Sequence, residues 1–214
     1  MIAALDLGLL ALMTKATLTI LPPLLVWMRG GLKAGIVAIF LYAALLSPWI
    51  VRNAMLLHAF VPFTTSATWN LWHGNNDYDA ADETRVARVL ADVPEIQRSR
   101  MYLAMAADNI AQHPIWFLRR CAVRFGQFWN PLPNAPEYRS GLFPWVSGLS
   151  FGPVLLLALG AVWTYRGRWR ELLPIYALIG YFTLVHVLTL ASIRYRLPIE
   201  PYLIVLASGA FKRA

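Results

Sequence analysis

The sequence predicts an all-α, polytopic membrane protein with about five transmembrane helices and one mostly helical, water-exposed insertion between them. Three observations predict it. Of 214 residues, 58% are hydrophobic and only 14% charged, whereas a soluble domain carries roughly 25% charged residues. The apolar residues fall in runs, several near the roughly 20 residues that cross a bilayer. Those runs are apolar all round, where a soluble helix needs only a stripe. They lack the period-two alternation of a barrel strand, and lipid offers unpaired backbone groups no partner, so each run that spans must be helical.

The first run, Ile2 to Met28, holds Asp6 and Lys15 as its exceptions. It reads as one long helix kinked at Pro22 and Pro23, or as two half-depth helices broken at Thr14-Lys15-Ala16. Ala34 to Ile50 is a second run and Phe143 to Tyr165 a third, loosened by Gly148, Gly152 and Pro153. Leu172 to Ala191 is a fourth, and Leu197 to Phe211 a short fifth entered through Pro198 and Pro201. The chain thus divides into membrane segments 1–50 and 143–214 around an exposed segment 51–142.

Lys and Arg in short loops set orientation. Arg29 to Lys33, Arg166 to Arg170 and the tail Lys212-Arg213 fall on one side when the last four spans alternate, and that side is assigned to the cytoplasm. Ser192 to Arg196, on the opposite side, is also basic and votes the other way. The net charge of +8 is therefore a topology signal first. It comes with no basic stripe or nucleic-acid-binding motif, so no nucleic-acid partner is expected. Cys121 is the single cysteine, so no internal disulfide forms. The N-terminus lacks a basic leader and carries an early Asp6, which argues against a signal peptide.

The exposed segment opens with Pro62, the cluster Thr64 to Ser66, and Gly74-Asn75-Asn76, which reads as a turn because Asn and Gly tolerate left-handed backbone. A helix from Ala80 to Ala91 follows, with Asp79 as N-cap. Pro94 starts another that runs to about Gln112, with Met101, Met105 and Ala106 at helical spacing. After His113-Pro114, the stretch Trp116 to Trp129 puts Phe117, Cys121, Phe125 and Phe128 on one face, with Arg119, Arg120 and Arg124 to its side. Such a helix lies in the headgroup plane or packs against its own domain.

No phosphate-cradling loop, zinc-ligand pair or nucleophile elbow is present. His58, His73, His113 and His186 are scattered, and no metal site is expected. Polar residues concentrate where spans meet the outer face: Arg52 and Asn53 after the second run, Arg194, Tyr195 and Arg196 between the fourth and fifth, and Glu200 just inside the fifth. Guanidinium groups pair bidentately with phosphate, so these arginines could hold a lipid-linked phosphate. Arg and Tyr are equally ordinary anchors at span ends. A carboxylate within a span needs a partner, and Arg194 or Arg196 is the nearest to Glu200. Lys15 contacts lipid phosphate, pairs with Asp6, or snorkels.

Several of these residues lie in stretches that resemble a known family. Ser47-Pro48-Trp49-Ile50-Val51-Arg52-Asn53, Phe60 to Thr65 and Asn70-Leu71-Trp72-His73-Gly74-Asn75-Asn76 look like a run in bacterial membrane glycosyltransferases of the GT-C class, related to protein O-mannosyltransferases and aminoarabinose transferases. Ile110 to Pro114, Phe117 to Arg120, Phe128-Trp129-Asn130-Pro131, Arg194 to Pro201 and Thr14 to Thr17 resemble further stretches of the same family, in the same order. The resemblance implies a multi-pass enzyme of the bacterial inner membrane, in the cell envelope. It would move a sugar from a polyprenyl-phosphate donor to an acceptor at the periplasmic face, with the exposed segment as a periplasmic cap. A carboxylate would act as general base and basic groups would hold the departing phosphate. The resemblance places Arg52, Asn53, Asn75, Asn76, Arg194 and Arg196 near the donor, with Tyr195, Glu200 and Lys15 beside them as substrate contacts. The lipid-linked sugar is a substrate, no cofactor is expected, and the need for a divalent metal stays open. The family's acidic catalytic motif lies upstream of its matching region and Asp6 does not fit it, so no catalytic residue is assigned. The expectation is a C-terminal half that lacks the base and is inactive alone, with a separate N-terminal half or partner subunit supplying it. The alternative is a non-catalytic membrane subunit or scaffold.

Overall fold

The computed structural model describes residues 21–62 and 64–210. Within them all regular structure is helical, and the chain forms two compact units, 1–112 and 113–214. Residues 2–20 of the first expected span, Asp6 and Lys15 included, fall outside the described residues, and its remainder is helical.

In the first unit, α1 (Leu21–Leu57) is interrupted at Gly31, whose φ of 73° and ψ of −174° belong to a region open essentially to glycine. The expected basic loop is thus a sharp break between two helical stretches. The second stretch runs beyond the expected Ile50 to Leu57 and contains Pro48. It ends at His58, whose positive φ of 49° reverses the chain as a left-handed helix cap does. Helices α2 (Ser66–Gly74), α3 (Ala80–Val89) and α4 (Glu95–Gln112) form a small module. Asp79 caps α3 as expected, its Oδ1 accepting the Asp82 N–H at 2.8 Å. Trp72, Leu90, Tyr102 and Ala106 make the module's core, with the Trp72 and Tyr102 rings 4.9 Å apart. On α4 the inward stripe is Tyr102, Met105 and Ala106, while Met101 faces outward.

In the second unit, α5 (Pro114–Trp129) opens with proline at its first turn, where a missing N–H costs nothing. Helices α6 (Phe143–Thr164) and α7 (Trp169–Leu188) follow. A short turn α8 (Ile193–Arg196) and a 3-10 turn (Leu197–Ile199) lead into α9 (Glu200–Gly209). Ala158 and Ala161 of α6 and Leu203, Leu206 and Ala207 of α9 are all buried where these two helices pack. The Arg196 guanidinium lies over the Phe151 ring, and Tyr165 donates to the Gly209 carbonyl at 3.0 Å. The two helices therefore run in the same direction. α9 begins about two turns below the start of α6 and, at ten residues, is about 15 Å long, half the hydrocarbon thickness.

Among the described residues, three helices are long and apolar enough to cross a membrane: Gly30–Leu57, Phe143–Thr164 and Arg166–Leu188. Phe40, Leu149 and Leu156 on them are each more than 70% exposed, so the protein's own packing does not cover them. Exposed apolar surface on this scale is what a lipid-facing helix presents.

Because Trp72 is 1% exposed and holds α2 on α4, Trp72→Ala should destabilise the module by about 3–5 kcal/mol. Hydrogen exchange would show this as lost protection of α2 and α4 amides.

Candidate functional site

In the second unit the residues expected at the outer face come together around Arg196. Its side chain is 1% exposed. Nε donates to Glu200 Oε1 at 3.0 Å, and Nη1 donates to the carbonyls of Phe128 and Asn130 at 3.2 and 2.8 Å. Its guanidinium stands 3.3 Å from the centroid of Phe151. Arg196 is thus the partner of Glu200, and it closes the C-terminal end of α5, where carbonyls have no partner within the helix. Arg194 is exposed, resting over the Tyr195 ring with Nη2 within 3.3 Å of its hydroxyl. Tyr195 stacks on His186 at 4.6 Å, and Phe128 also stacks on His186.

Arg124 is a second buried guanidinium, 4% exposed, donating to the carbonyls of Val187 and Leu188 at the end of α7. Burial works against its charge and lowers its pKa from the ordinary arginine value. The sequence puts Phe125 on the aromatic face of this helix and Arg124 to its side. The structure turns α5 so that Phe117, Cys121, Arg124 and Phe128 face inward and Phe125 is half exposed. The signal was available: Arg124 follows Cys121 by three residues and Phe117 by seven, which is also one helix face. Ile115, Leu118 and Val123 stay exposed on the outer face with Arg119 and Arg120.

Along α6 and α7, closed by α5 and α9, runs an apolar groove of about 730 Å³. Leu155, Leu159, Tyr176, Leu184 and Trp129 are among its walls. The Trp129 Nε1, Tyr176 hydroxyl and Thr183 hydroxyl are buried without a hydrogen-bond partner among the described residues. Val187 lines the groove, and the preceding His186 is the residue on which Tyr195 stacks. The Arg194–Tyr195 pair is on the turn that follows α7, one of the groove's walls.

In the first unit, Arg52 is exposed over the Trp49 ring, 5.1 Å from its centroid, and donates to Asn53 Oδ1. Both residues lie on α1 itself rather than after it. Asn53 is buried and donates to the Val61 carbonyl at 2.9 Å, closing the turn after α1. Asn75 and Asn76 are also buried. Asn75 Nδ2 donates to the Leu71 carbonyl, and its own carbonyl accepts from Asn109. Asn76 Nδ2 donates to the Trp72 carbonyl and to Glu83 Oε1. The turn after α2 forms without left-handed backbone at any asparagine, because the side-chain amides hold the helix carbonyls instead. Lys15 lies outside the described residues. Among the described residues no three His, Cys, Asp or Glu side chains gather to hold a metal.

Removing Arg196 leaves Glu200 and two carbonyls unpaired. Arg196→Ala should cost about 3 kcal/mol, near the low end for a broken buried pair since Glu200 is partly exposed. Arg194→Ala should stay within about 0.5 kcal/mol. Thermal unfolding of both variants in one detergent would separate the two roles.

No family model, curated protein or solved structure matches the chain.

Proposed function

We propose that this chain is part of a multi-pass glycosyltransferase of the bacterial inner membrane, and that its second unit binds the polyprenyl-phosphate end of a lipid-linked sugar. The observation that carries the reading is the apolar groove, together with an exposed arginine on the turn that follows α7, one of its walls. A prenyl chain suits a long apolar groove, and a phosphate at its end suits Arg194, whose planar fork binds phosphate oxygens bidentately. Arg196 serves as a positioning residue: paired with Glu200, it fixes the short turn that carries Arg194. The collinear sequence resemblance supports the same reading. In this proposal the chain crosses the membrane about five times, with α9 within the last span. The basic loops face the cytoplasm, segment 51–142 lies on the periplasmic side, and α5 rests its exposed apolar stripe at the interface. No described residue takes the part of catalytic base.

A second reading is a non-catalytic membrane subunit. The internal use of Asn53, Asn75, Asn76 and Arg196 favours it, since hydrogen bonds already made inside the fold are withheld from a substrate.

Binding of a polyprenyl phosphate to the chain in nanodiscs tests the proposal without requiring turnover. Arg194→Ala should weaken binding about tenfold, the loss of one charge-assisted contact of about 1.4 kcal/mol. Leu159→Trp should block the groove. Affinity indifferent to both substitutions would remove the groove from the donor site and leave the subunit reading.

A further inference from the structure

The module formed by α2, α3 and α4 contains a cleft that the donor-lipid reading does not use. It has a volume of about 310 Å³ and is lined by Thr65, Trp69, Glu95, Arg98 and Ser99 among others. Thr65 Oγ1 donates to Glu95 Oε1 at 2.6 Å, and the hydroxyls of Thr68 and Ser99 meet at 3.0 Å. Arg98 Nη1 donates to the Ala91 carbonyl at 3.2 Å, which ties its guanidinium to the cleft wall. The Trp69 indole, 37% exposed, is backed on one side by the His73 ring, stacked at 4.6 Å and 9°. Glu83 lies 3.0 Å from His73 Nδ1 and accepts from Asn76, so a carboxylate stands beside the backing ring.

We propose that this cleft is a carbohydrate-binding site that takes one neutral pyranose ring. A carboxylate and a guanidinium face the same space, so an anion meets Glu95 and a cation meets Arg98, each unfavourably. An apolar ligand would strip water from both charges without replacing its hydrogen bonds. A sugar does neither. Its hydroxyls donate to the second oxygen of Glu95 and to the Thr65 and Ser99 hydroxyl oxygens, whose own protons are already donated, and accept from Arg98, while its C–H face covers the indole. The volume is at the low end for small-molecule sites, which suits one ring. A second cleft of about 380 Å³ shares Thr65 and Ser99 and adds Phe60, Ile96 and Arg100. It supplies room for the next ring, so the natural ligand is the end of a glycan rather than a free monosaccharide.

The test needs neither a lipid donor nor turnover, so its outcome is independent of the proposed function. The full chain in nanodiscs is titrated with methyl α-glucopyranoside, methyl α-mannopyranoside, cellobiose and glucuronic acid, followed by ligand-observed NMR. Saturable binding of at least one neutral sugar near millimolar is expected, several-fold tighter for the disaccharide, with glucuronic acid weaker. Glu95→Gln, an exposed and isosteric change, should weaken binding about tenfold, and Trp69→Ala by at least as much. Trp69→Phe keeps a ring in place and should retain part of the affinity should the alanine variant unfold. Thr84→Ala, on the exposed side of α3, should change nothing. Lack of saturation by every neutral sugar up to about 100 mM, preference for the uronic acid, or binding unaffected by Glu95→Gln and Trp69→Phe would overturn the proposal.

Discussion

The fold depends on closing helix ends whose carbonyls have no partner within the helix. An α-helix leaves its last four C=O groups unpaired, and inside lipid or a packed core no water replaces the missing donor. Here long side chains do so. Asn75 reaches Leu71 and Asn76 reaches Trp72 in the first unit. In the second, Arg124 holds Val187 and Leu188, Arg196 holds Phe128 and Asn130, and Asn134 holds Gln127. Amide and guanidinium groups carry several N–H donors each, so one residue can close a helix and still bind a neighbour. The arginines also bring positive charge to the negative end of the helix dipole.

The two buried arginines work reciprocally. Arg124 leaves α5 to close α7, and Arg196, in the turn after α7, returns to close α5. Each desolvated guanidinium would be costly alone. Glu200 offsets the charge of Arg196, while oriented carbonyls solvate Arg124 as water would. We hold that the arrangement supplies definition more than stability, since apolar residues of equal volume would pack α5 on α7 without fixing their ends. The break between α7 and α9, where the chain turns back at Leu197, is then a built feature with both of its flanks tied down.

Sequence reading located most elements because their signals are local. Asp79 before α3, Pro114 at the first turn of α5 and the apolar runs of α6 and α7 each act within a turn or a span. The faces it grouped differ by one position from the buried ones in two helices. On α4 it grouped Met101 with Met105 and Ala106, where Tyr102 is the buried residue, and on α5 it put Phe125 on the aromatic face, where Arg124 is the buried residue. The cause is the same in both. Hydrophobicity ranked a methionine above a tyrosine and a phenylalanine above an arginine. What decided burial was a ring partner for Tyr102, in Trp72, and a carbonyl pair for Arg124. Such partners lie tens of residues away and leave no trace in a local pattern. The expected run Leu197 to Phe211 likewise became a 3-10 turn and a short helix, because Arg196 anchors its start level with Phe151 rather than at the top of α6.

The candidate site shows the same limit more sharply. Arg194 and Arg196 are two residues apart and chemically identical, so sequence could only treat them as a pair. On a helical turn, positions i and i+2 point about 200° apart. When one is drawn inward to the Phe128 and Asn130 carbonyls, the other must face out, and Arg194 does. The single turn of α8 therefore divides one motif into a structural half and a half presented to solvent. Tyr195 between them is stacked on His186 and cannot swing to exchange the two without losing that contact. In the proposed donor site, Arg194 needs a fixed base more than it needs a second guanidinium beside it. The buried arginine, with its carboxylate and two carbonyls, is what supplies that base.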